Sequence, residues 1–124
     1  LYFIAGEHED YYDPNFFIYN DVIKVENRQV TIYGYPRKIF PPTDFHASVY
    51  LNGFIWIFGN LGYTEFRKPF IQICRLNIKT MEMENLHNNS GPEWMNFRDN
   101  TLTVHGTIIK INHFFFDTTN LTWK

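Results

Sequence analysis

The chain has 124 residues, enough for one domain with its own core, and 44% of them are hydrophobic and 19% aromatic. The formal net charge of −2 supplies no field that would draw the whole molecule toward nucleic acid or an anionic membrane. No apolar run approaches the roughly 20 residues of a membrane helix. The apolar start at 1–5 is too short for a secretory signal and lacks a basic flank. A cytoplasmic location is expected, and the absence of an initiator Met reads as a chain trimmed or cut from something longer.

In chain order, the first three elements are strands at 1–6, 16–25 and 29–33. The next group runs from 46 to 86: a strand ending at Leu51, a tight Asn52-Gly53 turn, an apolar strand Phe54-Ile55-Trp56-Ile57-Phe58-Gly59, then strands at 71–80 and 81–86. Composition alone would allow a helix over 65–76, but Pro69 and the β-branched run beyond it oppose one. The last group, 99–124, repeats the pattern. Leu102-Thr103-Val104-His105-Gly106 falls over Val49-Tyr50-Leu51-Asn52-Gly53, Thr107-Ile108-Ile109-Lys110-Ile111-Asn112 follows, and shorter strands come at 113–117 and 121–123.

Three apolar segments therefore align without gaps, ending at Gly6, Gly59 and Asn112, a constant 53-residue spacing. With the four strands of a unit named a to d, the chain reads b-c-d, a-b-c-d, a-b-c-(d), the last d being truncated. The b segments are apolar at nearly every position, so both faces must be covered. Sheets stacked between neighbouring sheets meet that demand.

The units resemble kelch repeats. The resemblance rests on the b strand ending in a turn Gly (Ile-Phe-Gly at 57–59), on Leu-Asn-Ile-Lys-Thr-Met-Glu-Met at 76–83 and on Phe-Asp-Thr-Thr-Asn-Leu-Thr-Trp at 116–123. The stretch at 40–47, followed by Gly59-Asn60-Leu61-Gly62-Tyr63, is similar to bacterial kelch-like proteins. The Gly pair usual after strand b is absent, its positions holding Gly6-Glu7, Gly59-Asn60 and Asn112-His113. The resemblance implies an all-β domain over 1–124, with blade parts 1–34, 46–86 and 99–124. These amount to about two and a half four-stranded antiparallel propeller blades, an incomplete propeller whose sheet stack self-association could complete. An ordinary sandwich or open sheet is the alternative.

Chemistry-bearing clusters are few. Cys74, the only cysteine, excludes an intrachain disulfide and a cysteine-based zinc site, and is expected inside a strand with Arg75 on the opposite face. Glu7-His8-Glu9-Asp10 with Asp13 has the donors for a divalent cation, but a lone acidic run is ordinarily a solvated loop. His46 reads as a structural hydrogen-bonding group rather than a pocket base. The Asn-x-Ser/Thr triplets at Asn88 and Asn120 are of a kind that arises by chance in an Asn-rich chain. No nucleophile, Walker or dinucleotide motif is present. No catalytic residue, metal site or cofactor is therefore assigned.

The b–c and d–a connections are long (7–15, 35–45, 60–68, 87–97), while the a–b and c–d connections are short (26–28, 52–53, 105–106, 118–120). Consecutive antiparallel strands alternate direction, so the long connections share one face. Long loops on a rigid scaffold are where binding resides. Tyr11, Tyr12, Tyr35, Arg37, Tyr63, Phe66 and Arg67 are the candidate binding residues, being of the types enriched in interface hot spots. Phe40 and Trp94 are expected to fold back between sheets. The leading reading is a non-catalytic module for a protein or peptide partner, with no nucleic acid or membrane ligand. The alternative is a propeller-scaffold enzyme acting on sugars or a metal-dependent oxidase.

Overall fold

A computed structural model describes residues 1–8, 17–59, 62–93 and 102–124. Eleven strands form three antiparallel sheets among the described residues, each a meander in chain order. The first sheet holds β1 (Tyr2–His8), β2 (Phe17–Glu26) and β3 (Gln29–Gly34). The second holds β4 (Ala47–Leu51), β5 (Phe54–Gly59), β6 (Gln72–Asn77) and β7 (Met83–Asn85). The third holds β8 (Leu102–His105), β9 (Ile108–Ile111), β10 (Phe114–Asp117) and β11 (Thr122–Trp123). The only helical element among the described residues is a 3-10 turn at Thr64–Phe66. No helix there is long and apolar enough to cross a membrane.

The short hairpins form where the turn chemistry puts them. Asn52 and Gly53 both have positive φ (51° and 83°), as do Asn27 and Arg28 (50° and 64°). Two successive residues with positive φ match the right-handed twist of the flanking strands. β6 is shorter at both ends than the 71–80 strand the sequence pattern suggests. β6 ends at Asn77, whose Oδ1 accepts the N–H groups of Lys79 and Thr80 (2.9 and 3.3 Å) and converts 78–80 into a turn. Ile71 lies outside β6 because its N–H goes to Pro92 O (2.9 Å).

The second sheet lies between the other two, which accounts for the continuous apolarity of β5. Successive side chains point to opposite faces. Ile55 and Ile57 join Cys74, Leu76 and Met83 on one face, against Val22 of the first sheet and Phe40. Trp56 and Phe58 join Ile73 on the other, against Ile109, Ile111 and Phe116 of the third sheet. Trp56 and Phe116 approach with ring centroids 5.9 Å apart, Phe58 and Phe116 at 5.8 Å. Phe40 fills the space between the first two sheets and is only 2% exposed. Trp94 lies outside the described residues.

Gly59 departs from the role of a turn glycine. Its φ is ordinary, and what it supplies is space: a Cβ there would stand 3.0 Å from Thr43 Oγ1 and 3.1 Å from His46 Cβ. Its counterparts Gly6 and Asn112 do carry positive φ, at 106° and 53°. Gly6 sits at a register shift in the β1–β2 ladder.

Candidate functional site

The connection from the first sheet to the second, 35–46, is fixed at several points. Pro36 O accepts the N–H groups of Ile39 and Phe40 (3.0 and 2.9 Å), closing a turn that projects Arg37 and Lys38. Asn20 Nδ2 donates to the carbonyls of Tyr35 (2.8 Å) and Phe40 (3.0 Å). Thr43 N–H donates to Tyr19 O and Thr43 O accepts from Gly6 N–H (3.0 and 2.9 Å), knitting the loop into the first sheet. Buried Asp44 accepts the Gly62 N–H on Oδ1 (2.8 Å), tying this loop to the β5–β6 connection.

The β5–β6 connection then turns through Thr64–Phe66, and Gln72 Nε2 donates to Phe66 O (3.2 Å). Beyond β7, Asn88 acts as a surrogate strand. Its Nδ2 donates to Ile71 O (2.7 Å) and its Oδ1 accepts from Ile73 N–H (3.2 Å). The sequon amides are both in use, Asn120 Nδ2 donating to Asp117 Oδ2 (3.0 Å).

These three connections enclose a groove of about 650 Å³. Arg37, Lys38, Lys68 and His87 supply its basic groups, and Glu65 its one carboxylate among the described residues. Phe66 and Phe70 give it apolar surface; Gln72, Asn85, Asn88 and Asn89 give it amides. No ion pair among the described residues engages Arg37, Lys38 or Lys68. The Arg37 guanidinium lies 5.8 Å from the Tyr63 ring centroid, an arrangement that attracts cation to ring quadrupole.

The candidate residues named from sequence divide between groove and scaffold. Arg37 and Phe66 line the groove. Tyr63 underlies Arg37, and its hydroxyl accepts the Ile18 N–H (2.9 Å), a link to the first sheet. Arg67 donates from Nε and Nη2 to Gly62 O (3.3 and 3.2 Å), bracing its own loop. Tyr35 does not line the groove. Its hydroxyl donates to Met81 O (2.8 Å), its ring meets Phe40 edge-on at 6.1 Å, and burial, aided by nearby Tyr33, pushes its pKa up to about 12. Tyr11, Tyr12 and the acids Glu9, Asp10 and Asp13 lie outside the described residues.

Sequence reasoning did not select Lys38, Lys68, His87 or Phe70 as site residues. The dibasic pairs Arg37-Lys38 and Arg67-Lys68 are visible signals for two of them. His87 has none, since only tertiary folding brings the 86–89 segment across to Lys38 and Lys68.

The long-loop face stops short of the third sheet. β9 and β10 are joined by the tight Asn112-His113 turn, so the third sheet contributes no long b–c loop. The groove belongs to the first two sheets.

His46 has a structural setting. It bonds the Ile4 backbone and its Nδ1 lies 3.4 Å from Thr43 Oγ1. Burial lowers its pKa, opposed by the Ile4 bond and by Asp44. Cys74 points into the core, with Sγ 3.7 Å from Ile39 O, and burial pushes its thiol up to about 12. Arg75 points the other way, over the Phe54 and Trp56 rings (4.4 and 5.3 Å) and 2.7 Å from Glu84 Oε2. Among the described residues, no three His, Cys, Asp or Glu side chains gather as metal ligands. Compared with known proteins, the chain matches no family model, no curated protein and no solved structure.

Proposed function

We propose that this chain is a non-catalytic kelch-like repeat segment that binds a protein or peptide through the groove on its long-loop face, the bound segment presenting carboxylates. Its three stacked meanders are read as propeller-type blades, the first lacking strand a. The observation that carries the binding role is the convergence of Arg37, Lys38, Lys68 and His87, from three connections, on a groove with one described carboxylate. Charge complementarity of this kind steers encounter and selects partners. Phe66 and Phe70 offer the apolar contact that a purely ionic surface lacks, and the amides suit an extended backbone. The connections are anchored to the sheets by side-chain and backbone bonds, so little ordering accompanies binding.

The test is selection from a displayed random-peptide library on the wild-type chain, with a Lys38→Glu/Lys68→Glu variant as counter-target. Enriched peptides should carry Asp or Glu beside an apolar residue. The double reversal should weaken them at least about tenfold, roughly 1.4 kcal/mol, and added salt should slow association. No enrichment, or enrichment that the double variant retains, would refute the reading.

A further inference from the structure

The two ends of the sheet stack are chemically opposite. On the outer face of the first sheet, the register sets two adjacent cross-strand rows of apolar side chains. One is Phe3–Ile23–Ile32. The other is Leu1–Val25–Val30, with Leu1 held by reciprocal backbone bonds to Val25 (3.1 and 2.8 Å). Leu1 is 74% exposed, Phe3 53%, and Val30 and Ile32 65% each. At the far end, the outer face of the third sheet carries the rows Thr103–Lys110–Phe115 and His105–Ile108–Asp117. There Lys110 lies over the Phe115 ring at 5.8 Å and Lys124 stands 3.5 Å from Asp117. A polar outer face of that sort is what a terminal unit of a stack needs for solubility. The first sheet has no such face.

We infer that two copies of this chain pack face to face through the outer surface of the first sheet. The two rows expose roughly 500 Å² of apolar surface, near the upper end for the largest patch on a monomer. That is the centre of an interface that needs about 800 Å² per partner, the flanking strands and turns supplying the rest. Head-to-tail stacking would press these rows onto Lys110, stripping water from an ammonium that has no carboxylate partner among the described residues. The patch is complementary to itself and not to the other end of the molecule. The assembly therefore closes as a two-fold dimer instead of growing.

Charge fixes its orientation. The rows are bounded along β2 by Asp21 at one end and by the Asn27-Arg28 turn at the other. Neither Asp21 nor Arg28 has an ion-pair partner among the described residues. A two-fold axis in the interface plane and across the strands sets Arg28 of each copy over Asp21 of the other. An axis along the strands would set Arg28 on Arg28 and Asp21 on Asp21, which like-charge repulsion opposes.

Analytical ultracentrifugation over a concentration series tests this. The wild-type chain should reach twice its 14.9 kDa mass and stop there. Val30→Lys and Ile32→Lys, on an edge strand and outside the core, should each weaken the dimer at least about tenfold with an unchanged circular dichroism spectrum. Arg28→Asp should weaken it, and adding Asp21→Arg should restore it. Lys110→Glu at the far end should have no effect. A wild-type chain that stays monomeric at about 100 μM would overturn the proposal, as would a mass that keeps growing past the dimer. A dimer indifferent to Ile32→Lys would overturn it too, and failure of Asp21→Arg to rescue Arg28→Asp would overturn the orientation.

Discussion

Replacing Trp56 with Ala removes one of the side chains that join the second and third sheets. Trp56 is 2% exposed and sits mid-β5, paired with Val49 on one side and Arg75 on the other. Its ring meets Phe116 and Phe54, each at 5.9 Å, and carries the Arg75 guanidinium at 5.3 Å. Its Nε1–H donates to Leu51 O (3.2 Å), in the hairpin that joins β4 to β5. Truncating a buried Trp to Ala costs about 3–5 kcal/mol from lost transfer energy and the residual cavity. The ring lies between two sheets with partners on several sides, so the site cannot collapse easily, and about 4 kcal/mol is expected. That is a large share of the 5–15 kcal/mol typical of a whole domain. Urea titration at fixed protein concentration is the assay. With a slope of about 2 kcal/mol/M for a chain of this size, the midpoint should fall by about 2 M. Trp56→Phe keeps a ring and forfeits mainly the Nε1–H bond, so it should cost about 1–2 kcal/mol and remain measurable if the Ala variant does not fold. A Trp56→Ala loss under about 1 kcal/mol would mean that the sheets do not pack through this face.

Gly59→Ala should destabilise by about 1–3 kcal/mol, because its Cβ meets Thr43 Oγ1 at 3.0 Å and His46 Cβ at 3.1 Å. Gly34→Ala, with nothing within 4 Å, should be neutral or slightly stabilising, and equal effects in thermal melts would refute the close approach. High pH should destabilise the fold through Cys74. The folded thiol keeps its proton to about 12, whereas the unfolded one loses it near the ordinary 9.0, so stability falls as pH rises from 9 toward 12 and is unaffected below. Tyr35 acts in the same direction from its ordinary 10.0 to about 12. Urea midpoints at about pH 8 and about pH 10 should fall more for the wild type than for Cys74→Ala; equal slopes would show that the thiol is not buried in the native state.

The repeat is legible in the sequence because each b segment must satisfy two faces at once. Alternation sends Ile55 and Ile57 one way and Trp56 and Phe58 the other, and all four are apolar, so a sheet on each side follows from one hexapeptide. The turns are legible because Asn-Gly accepts the backbone that a tight hairpin requires. Arg28 at positive φ is not, since nothing in its chemistry favours that conformation; the pairing of Glu26 with Gln29 imposes it. Gly59 is misread for a related reason. Sequence offers glycine as a turn former, and only the approach of Thr43 and His46 from another loop reveals that this one supplies space.

The groove is less legible than the sheets because its residues share no periodicity. Tyr35 and Arg37 are two positions apart and part company at the Pro36 turn. The tyrosine hydroxyl finds a buried carbonyl at Met81, where an unpaired hydroxyl would be costly, while the guanidinium stays at the surface over Tyr63. Tyr63 and Arg67 likewise satisfy backbone groups of their own loop or of the first sheet. Alanine at either position would therefore disturb the loop as well as any contact it makes. Lys38 and Lys68 carry no such duty among the described residues. That is why charge reversal at these two lysines, and not truncation of the aromatics, isolates binding from folding.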